Sequence, residues 1–128
     1  LKTGEKQRRL KGNCIGGKAM EFIKNPGGCV VSNNIINKKG VLKWCVRDES
    51  LNPVDNGWRF LSDIDTEDFL RDPANMSIWS FNTVAEIEPA VLLIYDMPMG
   101  TDVTLIQENG RKFFVYTEIG EQVVFAEK

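Results

Sequence analysis

Near the end of the chain, "VTLIQ" and "KFFVY" flank "ENGR", and this stretch narrows the choice of fold more than any other. Asn109 and Gly110 both tolerate the positive φ that the tightest hairpin turns demand, so the flanking runs are expected to be adjacent antiparallel strands. Similar runs recur upstream. "CVVSNNII" and "VLKWCV", separated by "NKKG", read as a second antiparallel hairpin, and "WRFLS", "SIWSF" and "QVVFAE" as further strands. The two-residue period places Leu42, Trp44 and Val46 on one face, expected to be the core face, and pairs Trp58 with Phe60 on the next strand.

Helical signals are short and well punctuated. Residues 18–24 read as a helix stopped by Asn25-Pro26 and two glycines, and residues 66–71 as a second, ended at Asp72-Pro73. Asn82 or Thr83 is expected to cap a further turn, with Pro89 opening the next helix. The first dozen residues are polar and lysine-rich, so residues 1–13 are expected to be a flexible basic tail and 14–128 one domain. The expected fold class is α+β: a mainly antiparallel sheet with a few short helices packed on one face. At 128 residues, one hydrophobic core suffices.

The chain contains no histidine. That removes Ser-His-Asp and Cys-His nucleophile pairs and histidine metal ligands. Three cysteines without a close pair argue against a disulfide scaffold and for a reducing compartment, so the cytoplasm is expected. The longest apolar run, "AVLLIY", is far shorter than the ~20 residues of a membrane-spanning helix. The glycine-containing stretches lack the lysine and spacing of a phosphate loop, so no nucleotide or other cofactor is expected.

Charge is distributed unevenly. Residues 1–47 carry eleven Lys or Arg against Glu5 and Glu21, while residues 48–128 carry five against sixteen Asp or Glu. The basic start has no interleaved aromatics, which disfavours nucleic acid as a partner. Between residues 48 and 72, eight acids face only Arg59 and Arg71.

Asp63, Asp65, Glu67 and Asp68 resemble the opening of a calcium loop. The match fails where that loop needs glycine and finds Asp68, and again where it needs glutamate and finds Ala74, so no metal is expected. Helix capping explains these acids more simply: with Asp65 or Thr66 at the cap, Glu67 and Asp68 fall in the first turn, each gaining roughly 0.3–1 kcal/mol from the helix dipole. The polar loop over 47–57, "RDESLNPVDNG", precedes Trp58 and is long enough to carry a binding function.

Read in order, "VVSNNII", "DNGWRF", "DPANMSIW" and "NTVAEIEPAVLLIYDMPMG" resemble a bacterial family of domains grouped as immunity protein thirty-three-like. The resemblance covers about residues 29–102, and its most specific part is "DNGWRF" followed by "DPANMSIW" and "NTV". Pro98-Met99-Gly100 keeps the family's Pro-x-Gly, whereas "LSDID" and "TDVTL" depart from its usual continuations. The resemblance implies a non-enzymatic protein that neutralises a toxin, and a basic toxin domain would suit the acidic region. The expected partner-binding residues are Asp48, Glu49, Asp55, Trp58, Asp63, Asp65, Glu67, Asp68 and Asp72, with no catalytic set. A structural or regulatory accessory domain is the alternative, ahead of a divalent-ion-dependent enzyme.

Overall fold

The computed structural model describes residues 21–125. The expected tail over 1–13 and the first residues of the expected 18–24 helix lie outside that range, and residues 22–25 form bends without a helical turn. Six strands form one sheet: β1 (Gly28–Ser32), β2 (Leu42–Arg47), β3 (Asp55–Ser62), β4 (Met76–Ser80), β5 (Asp102–Glu108) and β6 (Arg111–Tyr116). Their order is β4-β1-β3-β2-β5-β6, and every neighbouring pair is antiparallel except β1 with β3. Three short helices, α1 (Asn33–Ile36), α2 (Glu67–Arg71) and α3 (Phe81–Ile87), complete an α+β domain.

The hairpin expected between "CVVSNNII" and "VLKWCV" does not form, because β3 lies between β1 and β2. Ser32 explains the difference. Its hydroxyl accepts the Asn34 N–H at 3.2 Å, capping α1 and turning the chain out of the sheet at Asn33. Ser and Asn side chains compete with a strand ladder in this way.

The core face of β2 also differs from expectation. Leu42 opposes Ser62 while Trp44 opposes Leu61, so Lys43 is an extra residue in the ladder. This bulge reverses the alternation. Leu42 and Cys45 point into the core, and Trp44 turns to the opposite face, where it is half-buried.

One face of the sheet holds the core. Val31, Phe60, Cys45 and Val103 lie side by side across four strands, fully buried, under Phe81, Val84 and Ala85 of α3. A 3₁₀ segment, Pro89–Leu93, adds Val91, and Ile94 follows it; it starts at the expected proline but never becomes an α-helix. Ser80, two residues before the expected cap at Asn82, caps α3. Trp58 stacks on Phe60 at 5.8 Å, Phe60 meets Phe81 at 5.9 Å, and Phe81 meets Tyr95 edge-on at 4.7 Å. Burying each such ring contributes on the order of 1.5–3 kcal/mol, making this row a main source of stability.

At the β5–β6 turn, Asn109 and Gly110 have φ of 51° and 76°, as the Asn-Gly pair demands. Of the last expected strand, "QVVFAE", the described residues make a single bridge, between Val115 and Gln122. The left-handed Gly120 turns the chain back, with Tyr116 N–H donating to Glu121 O at 2.8 Å, and Val123 buries itself beside Phe114 without extending the ladder.

Candidate protein-binding surface

Acidic residues contiguous in sequence are divided in space by β3. The 48–54 loop enters this strand and the 63–72 segment leaves it; eight extended residues between them span roughly 26 Å. Asp48, Glu49 and Asp55 therefore stand at one end of the sheet, and Asp63, Asp65, Glu67, Asp68 and Asp72 at the other. A single continuous acidic face over 48–72 is not what the fold presents.

At the loop end, Asp55 is occupied. Its carboxylate accepts from Arg59 Nη1 and Nη2, both at 2.9 Å, from Leu51 N–H at 2.7 Å and from Gly57 N–H at 2.9 Å. The Arg59 hydrogen bonds, with those two amides, hold the acid well below the usual carboxylate range against the opposing cost of burial. Asn56 accepts the Trp58 N–H and donates to Pro26 O at 3.0 Å. Gly57 has φ of 91°, and a Cβ there would fall 2.3 Å from Asp48 O, so glycine is required by both backbone and space.

Trp58 is a correction to the sequence reading: it is fully buried and offers a partner no surface. Its indole N–H donates to Tyr95 O at 3.2 Å, and the Arg47 guanidinium covers its ring at 5.8 Å. Arg47 is held there by Asn56 O and Met97 O, at 2.9 and 2.7 Å. The two-residue period assigned Trp58 and Phe60 a common face, but did not show that β3 is an interior strand.

At the far end, Asp65 is a buttress. It accepts from Ser62 Oγ at 2.6 Å, Ser62 N–H at 2.8 Å, Asn34 Nδ2 at 2.8 Å and Ser32 Oγ at 3.0 Å, joining the ends of β1 and β3 to α1. Burial works against its ionisation, but these bonds together outweigh that effect and lower its pKa. Thr66 caps α2, its hydroxyl accepting the Phe69 N–H at 3.1 Å. Asp63 accepts the Val41 N–H, and Asp72 caps the next 3₁₀ turn through the Ala74 N–H. Asp68 pairs with Arg71 within α2.

Of the acids between 48 and 72, those left exposed with no buttressing role are Asp48 and Glu49 at one end and Glu67 and Asp68 at the other. Asp48 lies 3.9 Å from Arg59 but keeps 65% of its side chain exposed, so that contact neutralises little of its charge. The sequence reading passed over Leu51 and Val54, which are exposed in the same loop; the available signal was two branched apolar residues inside an otherwise polar stretch.

Cys29 and Cys45 are buried free thiols, Cys29 pushed up to about 12 and Cys45 raised further, in both cases chiefly by burial. Neither is activated as a nucleophile. Among the described residues, no three His, Cys, Asp or Glu side chains gather as a metal site, and no helix is long and apolar enough to cross a membrane.

The family model for the Immunity protein Imm33 domain matches residues 29–115. The chain belongs to this family. The Imm33 match runs through most of β6, beyond the 29–102 range of the resemblance read from sequence, and so takes in the Asn109-Gly110 hairpin. No curated protein and no solved structure matches the chain. The "DNGWRF" segment that carried the resemblance forms the junction described above. In "NTV", Asn82 accepts the Ile23 N–H at 3.1 Å and donates to Ile23 O at 2.8 Å, tying the entering chain to α3. These Imm33-like residues hold the fold together, and none of the contacts they make here requires a partner.

Proposed function

We propose that this Imm33 protein neutralises a bacterial toxin by binding it, without catalysing a reaction, and that exposed carboxylates guide the encounter. Family membership supports the immunity class. The observation that carries the binding mode is that Asp48 and Glu49 remain exposed on a loop whose other acid, Asp55, is consumed internally. Two carboxylates with no buttressing role, on an ordered loop, suit a cationic protein surface and would accelerate association with it. Trp58 has no part in this contact, and Glu67 with Asp68 form a separate acidic site at the other end of the sheet.

The test is affinity capture from native cells using the tagged chain, followed by expression of whatever is captured. Recovery of a basic protein that arrests growth, with growth restored by co-expression of this chain, is the expected result. Recovery of a housekeeping complex and no toxic protein would overturn the immunity reading.

A further inference from the structure

The start of β1, the centre of β4 and the loop that carries Asp48 and Glu49 enclose a shallow groove of about 310 Å³. Its walls are apolar. Leu51, Val54 and Ile78 stand 79%, 71% and 76% exposed, with Val30 and Gly28 between them. Burial would reward such side chains, yet folding leaves all three in water and gathers them at one place.

The loop that presents two of them is ordered by its own hydrogen bonds. Leu51 N–H reaches Asp55 Oδ2, Val54 N–H reaches Asn52 Oδ1 at 3.0 Å, and Val54 O accepts the Gly28 N–H at 2.7 Å. Gly28 is the floor: a Cβ there would stand 3.4 Å from Ile78 Cγ2 and 3.8 Å from Val54 O, already within contact distance of both walls. A groove held open in this way costs a partner little ordering of the loop.

We propose that this groove is the anchor pocket for a protein partner, receiving one bulky aliphatic or aromatic side chain that has Lys or Arg beside it. The apolar walls specify the anchor, and the exposed Asp48 and Glu49 on the same loop specify the cationic neighbour. This deepens the toxin-binding reading and rests on it for the partner's biological identity, but the groove's chemistry is testable without any toxin. An apolar anchor in a well-packed, desolvated pocket is how binding energy concentrates at protein interfaces.

Random peptides displayed on phage, selected on the immobilised chain, supply the probe. Enriched peptides should share an aliphatic or aromatic residue next to Lys or Arg. Their retention should fall about tenfold or more on Ile78→Asp and on Leu51→Asp, and less on Asp48→Lys. Because these side chains are exposed, the variants should keep the wild-type circular dichroism and urea midpoint. For a variant that does not, Val54→Ser takes its place. No enrichment, enrichment of peptides without an apolar anchor, or equal retention on the folded variants would overturn the proposal. Success here with no toxin captured from cells would sink the immunity reading alone, and capture of a toxin whose binding ignores Ile78→Asp and Leu51→Asp would sink the groove alone.

Discussion

Asp55 and Arg59, four residues apart on β3, form a two-pronged ion pair with both oxygen–nitrogen distances at 2.9 Å and side chains only 9% and 14% exposed. The pair clamps the loop entering β3, because Asp55 also accepts the Leu51 and Gly57 amides. Replacing Asp55→Asn removes the charge and leaves a largely buried guanidinium with only the more distant Asp48 as a countercharge. Loss of roughly 3 kcal/mol in urea unfolding is expected.

The same pair sets an acid dependence. Asp55 has a folded pKa depressed below its unfolded value, so its contribution is fully present above the unfolded value of about 4 and disappears as pH falls from there toward the folded one. Asp65 is shifted in the same direction and adds to the slope. Urea midpoints measured between neutral pH and pH 3 should therefore decline on the acid side. The decline should be shallower in Asp55→Asn, and an unchanged slope would remove Asp55 as its source.

Gly57→Ala tests the junction by geometry alone. The substitution forces a side chain into φ of 91° and drives its Cβ against the Asp48 carbonyl, which is backbone and cannot swing away. A destabilisation of roughly 2–4 kcal/mol is expected from strain and clash together. Gly110→Ala serves as the control: φ there is 76°, but nothing lies within 4 Å of the added Cβ, so its cost should be limited to strain of about 1–2 kcal/mol. Thermal unfolding of the two variants side by side separates crowding from conformation.

Two neighbouring acids of α2's approach should behave oppositely. Asp65→Ala strips acceptors from Ser32, Asn34 and Ser62, two of which are fully buried serines, and should cost roughly 2–4 kcal/mol. Glu67→Ala removes an exposed carboxylate and should change stability by no more than about 0.5–1 kcal/mol. Chemical denaturation of both measures the difference between a buttress and a surface charge.

What the sequence made legible follows from how local each signal was. The Asn109-Gly110 turn, the Asp72-Pro73 helix stop and the Pro89 start act within a few residues, and all three appear where expected. The strand order was not legible, because the insertion of β3 between β1 and β2 depends on which ladder wins after Ser32 leaves the sheet. One bulged residue, Lys43, was enough to invert the expected Trp44 face. For the surface, charge along the chain looked continuous, but extended residues of β3 carry its two halves apart. Which acids are occupied by backbone amides was likewise invisible, since the donors at Leu51, Gly57 and Val41 are set by loop geometry.

Thiol chemistry offers an independent readout of the core. Cys29 and Cys45 are 1% and 0% exposed, and burial raises both far above neutral pH, so almost no thiolate is present or reachable. In a Cys14→Ser background, an aromatic disulfide reagent should label neither site in the folded protein at neutral pH and both after urea unfolding. Rapid labelling under native conditions would show that the β1–β3–β2 core opens locally.

Charge reversal at each end of the sheet tests the proposed role of the exposed acids. Asp48 and Glu49 are exposed on the loop that carries Leu51 and Val54, whereas Glu67 and Asp68 lie at the opposite end of β3, with Asp68 already paired to Arg71. Asp48→Lys with Glu49→Lys should lower the association rate of the captured toxin about tenfold at low salt, with a smaller deficit as salt screens the charges. At physiological ionic strength Glu67→Lys with Asp68→Lys should leave association within about twofold, since the length of β3 alone, roughly 26 Å, exceeds two Debye lengths there. Stopped-flow association at two salt concentrations measures both, and a larger loss at the α2 end would move the proposed contact there.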